Sequence, residues 1–216
     1  MSHISEINED WLKTVSSPAS SLLEELENKS AEKFPRAAHM MSGFAQGRLI
    51  ALLSGLLQPS RILEIGTFTG YGSLCLAEGL AENGLLFTIE NSAEHAAFAR
   101  AFFERSAFAN QIRLMEGRAE DIIPLLNESW DLVYLDADKT SNRLYIKLLW
   151  ATLKPGGIIL VDNVFARGGI FKPEEEQRAF EKAVTALNHD LPGLFPDGEL
   201  FVLPIRDGLS ILRKKA

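Results

Sequence analysis

The pattern of hydrophobic and polar positions changes near Pro59. Before it, apolar residues recur at helical spacing and predict three helices. The first carries Ile4, Ile7, Trp11 and Val15, and the second, after Pro18, carries Leu22, Leu23 and Leu26. Polar residues and Pro35 favour a loop over 28–41, and the strongly apolar stretch 44–57 predicts the third helix.

From residue 61 onward, short apolar runs alternate with helical patterns. The apolar runs predict strands at 61–65, 85–90, 111–116, 131–138 and 158–163. The helical patterns predict helices at 71–82, 93–108, 119–126 and 142–153, with a further helix opening at 173–176. This alternation predicts an α/β fold with a parallel sheet covered on both faces. Two last apolar runs flank Arg206-Asp207-Gly208 and predict an antiparallel hairpin.

Length and composition fit a single domain. The chain has 216 residues, of which 46% are hydrophobic and 24% charged, close to the globular average. We expect residues 1–41 to form a helical extension or lid and residues 42–216 to form the core. The lone cysteine, Cys75, excludes a disulfide scaffold and a multi-cysteine zinc site.

Charge and the N-terminal sequence limit the classes of partner. The net charge of −7 argues against a general nucleic-acid binder, which needs a basic surface. The polar N-terminus has no signal-peptide core, and no apolar run reaches the ~18 residues of a membrane span. We therefore expect a cytoplasmic protein that binds neither nucleic acid nor membrane.

A glycine-rich turn follows the first predicted strand. Ligands of open parallel sheets bind beyond the carboxyl ends of the strands, so this turn is a candidate site. Its glycines, Gly66, Gly70 and Gly72, fit neither G-x-G-x-x-G nor a phosphate-binding loop. The turn could instead serve only to make the bend from strand to helix. Glu90, at the end of the second strand, could bind both hydroxyls of a ribose or simply cap the next helix with Asn91 and Ser92.

Acidic residues follow the fourth and fifth predicted strands. Asp136, Asp162 and Asn163 should emerge close together, because both strands end at the same edge of the sheet. Carboxylate and amide oxygens favour Mg²⁺, with Mn²⁺ or Ca²⁺ as alternatives. Either acid could instead cap a helix or form a turn. The four histidines show no metal spacing, although His39 could line the mouth of a substrate site.

Six segments in this order and spacing resemble one enzyme family. They are LEIGTFTGYGSL, FTIEN, GRAEDIIPLL, DLVYLDADK, LKPGGIILVDN and PIRDGLSILRKK. Together they resemble the cation-dependent O-methyltransferases, which include catechol and caffeoyl-coenzyme A O-methyltransferases and small bacterial members. The resemblance implies a Rossmann-like fold with a seven-stranded sheet, parallel except for one strand of the terminal hairpin. It also implies S-adenosyl-L-methionine (SAM) as cofactor, S-adenosyl-L-homocysteine (SAH) as product, and a homodimer.

The same resemblance implies the residues of the site. Asp136, Asp162 and Asn163 correspond to the metal ligands, and Lys139 corresponds to the catalytic general base. The implied cofactor-binding residues are Met41, Ser42, Glu64, Gly66, Thr67, Gly70, Tyr71, Gly72, Ser73, Glu90, Asn91, Ala119, Glu120 and Asp136. Many members have Gly-Tyr-Ser where this chain has Gly70-Tyr71-Gly72-Ser73, so Ser73 is the candidate for the missing hydroxyl contact.

The resemblance implies methyl transfer from SAM to a vicinal aromatic diol. A phenol with a pKa near ~10 is mostly neutral at pH 7, so a bound cation is needed to lower that pKa. Lys139 would take the proton from the attacking hydroxyl. A dehydrogenase that uses NAD would explain Glu90 but not Asp162-Asn163. A non-catalytic module that binds a cofactor or partner would have no use for the metal ligands and Lys139.

Overall fold

The computed structural model describes residues 9–216, and its centre is a seven-stranded sheet. The strands are β1 (Arg61–Ile65), β2 (Leu85–Glu90), β3 (Ile112–Glu116), β4 (Trp130–Leu135), β5 (Leu153–Asp162), β6 (Gly198–Leu203) and β7 (Leu209–Lys214). Their spatial order is β3-β2-β1-β4-β5-β7-β6, and β7 runs antiparallel to both of its neighbours. The predicted fold class, including the terminal hairpin, is confirmed.

Eight helices surround the sheet within the described residues. They are α1 (Glu9–Val15), α2 (Ser21–Lys33), α3 (Gly43–Leu57), α4 (Tyr71–Ala77), α5 (Ala93–Phe103), α6 (Ala119–Ile122), α7 (Asn142–Trp150) and α8 (Ala179–Leu194). Short 3-10 turns lie at Ala38–Met40, Ile123–Leu125, Gly169–Phe171 and Glu174–Glu176. Ile4 and Ile7 of the first predicted helix lie outside the described residues.

The core consists of two apolar layers, one on each face of the sheet. Helices α2 to α5 cover one face, with Leu26, Ile50 and Phe102 among the buried side chains. Helices α6 to α8 cover the other, where Tyr145 and Leu187 are buried. Parallel strands need burial on both faces, so the sheet exposes its functional groups only at the strand ends.

The predicted loop over 28–41 is wrong in its first part, because α2 continues to Lys33. The polar residues that suggested a loop cover the outer face of this helix, where Lys29 and Glu32 form an ion pair 2.9 Å long. Leu26 and Ser30 occupy the inner face and are buried. Surface polarity therefore concealed an amphipathic helix.

The predicted helix start at 173–176 is also wrong. Glu174–Glu176 forms only a 3-10 turn, and α8 begins at Ala179. The side chain of Glu181 determines this start, because it accepts a hydrogen bond of 2.6 Å from the backbone N–H of Arg178. Several other helices and strands differ from prediction by a few residues at one end: α4, α5 and α7 end earlier, and β5 begins earlier.

The apolar segment Ala38–Leu57 is, by length and composition alone, able to cross a membrane. The sequence prediction of no membrane-spanning run did not include this segment. In the fold, α3 belongs to the core, and 44% of the apolar window is buried. Its polar residues also have protein partners, since Gln46 binds Asp162 and Arg48 binds Glu78.

Candidate functional site

A cavity of about 1250 Å³ lies at the carboxyl edge of the parallel strands. Ten of the predicted site residues line it: Met41, Gly66, Glu90, Asn91, Ala119, Glu120, Asp136, Lys139, Asp162 and Asn163. A small adjoining recess is lined by Ser42, Glu64, Thr67, Tyr71 and Gly72. Gly70 and Ser73 line neither space, whereas His39 is among the residues that line the cavity.

The turn after β1 requires glycine for two separate reasons. Gly66 has a φ of +101°, and a Cβ on it would lie 2.2 Å from the carbonyl oxygen of Asp136. Gly70 has a φ of +90°, and a Cβ there would lie 2.6 Å from the ring of Phe103. These glycines bring β1 against β4 and α4 against α5. Making the turn therefore accounts for both residues, whereas only Gly66 also faces the cavity.

The carboxyl group of Glu64 is buried on the inner side of this turn. It accepts hydrogen bonds from the hydroxyls of Ser73 and Thr88, the second at 2.6 Å. Because the proton of Thr88 is directed to Glu64, Thr67 must donate to Thr88 across 2.5 Å. Burial raises the pKa of Glu64 to about 8, although the Ser73 and Thr88 hydroxyls oppose that shift. The Ser73 hydroxyl is thus directed to Glu64.

Glu90 has a structural role and also faces the cavity. Its carboxylate accepts the backbone N–H groups of Phe68 at 2.7 Å and Ser92 at 2.9 Å. Ser92 in turn caps α5 by accepting the N–H of His95 at 3.4 Å. A carboxylate has about four acceptor positions, so the two backbone contacts leave capacity for ligand hydroxyls.

Asp136 and Asp162 lie side by side at the edge of the sheet. The register pairs Leu135 of β4 with Val161 of β5, so the next residue of each strand emerges at the same level. Lys139 donates to Asp136 Oδ1 across 2.8 Å. Burial raises the pKa of Asp136 to about 7; Lys139 opposes this shift and the Asp162 charge adds to it.

Asp162 is held by groups from distant parts of the chain. Its Oδ2 atom accepts hydrogen bonds from Gln46 Nε2 at 2.7 Å and from the Tyr134 hydroxyl at 3.1 Å. Its Oδ1 atom accepts the backbone N–H of Asn163 at 2.7 Å. Asn163 has a φ of +58°, a left-handed conformation that asparagine tolerates better than most residues. This carboxylate is therefore fixed before any ligand binds.

The donor set fits a hard divalent cation. Two adjacent carboxylates at the edge of a buried sheet repel each other, and a cation between them would relieve that repulsion. Within residues 9–216, no group of three His, Cys, Asp or Glu side chains is arranged to hold a metal ion. Asn163, whose amide oxygen is the third ligand implied by the resemblance, also lines the cavity.

Several residues that support this site were not predicted from the sequence. Gln46 lies 116 positions from its partner Asp162, and Arg206 donates to the carbonyl of Met41 across 2.7 Å. Tyr145 contacts Glu120 at 3.2 Å. A glutamine inside the apolar stretch 44–57 was a usable signal for Gln46, because a buried amide needs a partner.

Comparison with known proteins identifies the family. Residues 13–215 match the O-methyltransferase family model. A catechol O-methyltransferase of Mycobacterium tuberculosis is 36% identical over 155 residues, which cover 71% of this chain and 69% of that protein. Caffeoyl-CoA O-methyltransferase 2 of Petunia hybrida is 28% identical over 186 residues, covering 81% of this chain and 76% of that protein.

Solved structures support the same assignment. An O-methyltransferase from Streptomyces achromogenes, in complex with SAM, has a TM-score of 0.88 at 27% identity, covering 96% and 95% of the two chains. An SAH-bound methyltransferase from Podospora anserina has a TM-score of 0.84 at 29% identity and covers 100% of both chains. The alternatives of an NAD-dependent dehydrogenase and a non-catalytic module are therefore wrong. The chain belongs to the O-methyltransferase family, as a SAM-dependent enzyme.

Proposed function

We propose that this enzyme methylates one hydroxyl of a vicinal aromatic diol in a reaction that requires a divalent cation, with Mg²⁺ as the first candidate. The observation that carries the proposal is the position of Asp136 and Asp162 on neighbouring strand ends, beside Lys139 and at one cavity wall. The names of the curated relatives, which specify catechol and caffeoyl-CoA, support an aromatic diol.

The cofactor would occupy the half of the cavity formed by β1, β2 and α6. Glu90 and Ala119 line that half, and the recess beside Gly72 and Glu64 continues it towards the buried end of the turn. SAM supplies an electrophilic methyl group on a sulfonium. The chain positions the cofactor through Glu90, whose carboxylate is already oriented by two backbone N–H groups.

The acceptor would occupy the other half, at the ends of β4 and β5. Asp136, Asp162 and Asn163 would provide oxygen ligands to the cation, and Gln46 and Tyr134 keep Asp162 in place. A bound cation supplies Lewis acidity that lowers the pKa of the diol hydroxyls and fixes their orientation.

Lys139 would accept the proton of the attacking hydroxyl at its Nζ atom. That atom lies 2.8 Å from Asp136 Oδ1, so the amine is held beside the proposed cation ligand. To act as a general base, the amine would have to be neutral and within hydrogen-bond reach of the attacking hydroxyl. The two halves of the cavity would also speed the reaction by holding the attacking hydroxyl oxygen close to the methyl group of SAM.

The direct test is methyl transfer from SAM to catechol and to phenol, each with Mg²⁺ and with EDTA. We expect turnover of catechol that disappears with EDTA and returns with excess Mg²⁺. Phenol, the matched acceptor with a single hydroxyl, should be methylated poorly in both conditions. Equal turnover of catechol with Mg²⁺ and with EDTA would contradict the metal dependence, and equal turnover of phenol would contradict the requirement for a diol.

A further inference from the structure

The wall of the cavity next to Asn163 is rich in positive charge. Arg167, Arg178 and Arg206 line it, together with Phe180 and Asp207. The segment after Asn163 is hydrogen-bonded to the β6–β7 turn, because Val164 N–H donates to Gly208 and Phe165 N–H donates to Asp207. These cations therefore lie on the side of the cavity formed by the segments after β5 and the β6–β7 turn.

This local charge contrasts with the acidic chain, whose net charge is −7. Arg206 donates to the neutral carbonyl of Met41, and Arg167 has no ion pair with another described residue. Asp207 also lines this wall, and its Oδ1 atom accepts the backbone N–H of Arg167 at 2.7 Å. The exposed acids Glu174–Glu176 do not line the cavity.

Arg178 is the most firmly positioned of these cations. Its Nε and Nη2 atoms donate to Glu181 Oε1 at 3.0 and 2.7 Å, and its guanidinium carbon lies 4.6 Å from the centre of the Phe180 ring. Lys172 also donates to Glu181, across 3.0 Å. The Glu181 side chain has no exposed surface, whereas that of Arg178 is 62% exposed.

The buried carboxylate of Glu181 fixes the position of the Arg178 side chain. Glu181 receives its donors from Arg178 and Lys172, and a Cβ on Gly169 would lie 2.4 Å from its Cγ atom, so the surrounding segment packs closely over it. The two cations Arg178 and Lys172 thus share one carboxylate, and the three side chains together keep a net positive charge. Glu181 holds the planar guanidinium in one orientation at the cavity wall, with donors left over for a ligand.

We propose that the methyl acceptor is an aromatic diol carrying a carboxylate, and that Arg178, held by Glu181 and Phe180, recognises this carboxylate. The inference rests on the proposed function, because it places the hydroxyls of the diol at Asp136 and Asp162. A planar guanidinium matches a planar carboxylate, and the neighbouring Arg167 and Arg206 add to the attraction. Glu181 is a positioning residue that acts through Arg178.

The test compares three acceptors with the same diol: 3,4-dihydroxycinnamate, its methyl ester and its coenzyme A thioester. With SAM and Mg²⁺, we expect kcat/KM for the free acid to exceed that for the ester about tenfold, as one charge-assisted hydrogen bond provides. Arg178→Gln should remove this preference by raising the KM of the acid while leaving the ester unchanged. Arg178→Lys, which keeps the charge but not the planar fork, should restore only part of it.

Two further variants separate recognition from folding. Lys182→Gln removes an exposed cation of α8 that does not line the cavity, and it should change neither acceptor. Glu181→Gln should raise the KM of the acid more than it changes kcat, and unchanged turnover of the ester would show that the site is still formed.

The outcomes distinguish this inference from the function on which it rests. Equal kcat/KM for acid and ester in the natural chain, or a preference for the thioester, would overturn the inference and leave diol methylation standing. Turnover of none of the three acceptors with Mg²⁺ would overturn both. Loss of acid and ester turnover together in Arg178→Gln would also contradict specific carboxylate recognition.

Discussion

The two halves of the cavity are built in different ways. In the cofactor half, Glu64 and Glu90 bind hydroxyls and backbone N–H groups within one continuous stretch of the chain, residues 64–92. The acceptor half depends on a long-range pair, Gln46 with Asp162, which lie 116 positions apart. A local construction is compatible with one constant ligand, whereas side chains from several elements can vary independently and suit variable acceptors.

The largest effect is expected in the acceptor half, from Asp136→Ala. Loss of a charged cation ligand should lower turnover of a diol about 1000-fold, because the metal contributes several kcal/mol to the transition state. Steady-state kinetics with saturating SAM and Mg²⁺ would measure this. Far-UV circular dichroism should stay unchanged, and Asp197→Ala, in the exposed turn before β6, should be fully active. An active Asp136→Ala enzyme would rule out Asp136 as an essential ligand.

The next effect concerns Lys139. Lys139→Met should lower kcat about 100-fold through loss of the general base, with little change in the dissociation constant of SAM. Rapid-quench kinetics would measure the methyl-transfer step, and calorimetry would measure SAM binding. If SAM affinity fell while the transfer rate stayed the same, Lys139 would be a binding residue.

Gln46→Leu sharpens the comparison between the two halves. Removing the donor that holds Asp162 should raise the Mg²⁺ concentration for half-maximal activity by tens of fold, as loss of a residue supporting a metal ligand typically does. SAM affinity should not change. Leu52→Ala, at an exposed position of the same helix, is the control. Equal Mg²⁺ requirements in the two variants would show that Asp162 needs no support.

Glu90→Gln is the corresponding test of the cofactor half. A glutamine side chain has one oxygen that can accept a hydrogen bond and one NH₂ group that cannot. One of the two backbone N–H groups, of Phe68 or Ser92, therefore loses its partner. We expect the dissociation constant of SAM to rise about tenfold, with no change in the Mg²⁺ requirement. Glu94→Gln, in the exposed first turn of α5, should bind SAM normally. A changed Mg²⁺ requirement in Glu90→Gln would show that the halves are coupled.

The last prediction concerns stability instead of activity, as a pH dependence that comes from Glu64. Its pKa rises from 4.5 to about 8 on folding, so the folded state keeps the proton while the unfolded chain loses it. The free energy of unfolding of the cofactor-free protein should therefore fall between about pH 4.5 and 8, by at most about 1.4 kcal/mol per pH unit. Urea unfolding of Glu64→Gln should show a flatter profile across this range. An identical slope in both proteins would assign the pH dependence to other groups.

The residues at the strand ends could be predicted from the sequence in both halves of the cavity. Strand ends are encoded locally, so the positions of Glu64, Glu90, Asp136 and Asp162 at one edge follow from the alternating pattern. The role of Ser73 could not be predicted, because its hydroxyl could be directed to the cavity or to Glu64.

The wall formed by Arg178 and Arg206 was missed for a different reason. Its contacts join the β5–α8 segment, the terminal hairpin and the residues before α3, which are distant in sequence. The three acids at 174–176 also suggested a helix start that the buried carboxylate of Glu181 places later. The homodimer, the cytoplasmic location and the division at residue 41 stay predictions.

The most direct test of the central claim is Mn²⁺ binding to the SAH-loaded enzyme, followed by electron paramagnetic resonance. The account predicts one tight site per chain in the natural protein, displaced by Mg²⁺ and lost when Asp136→Ala and Asp162→Ala are combined. The Glu90→Gln variant should keep this site. Unchanged Mn²⁺ binding after loss of both aspartates, or no bound Mn²⁺ in the natural protein, would contradict a cation site at the ends of β4 and β5.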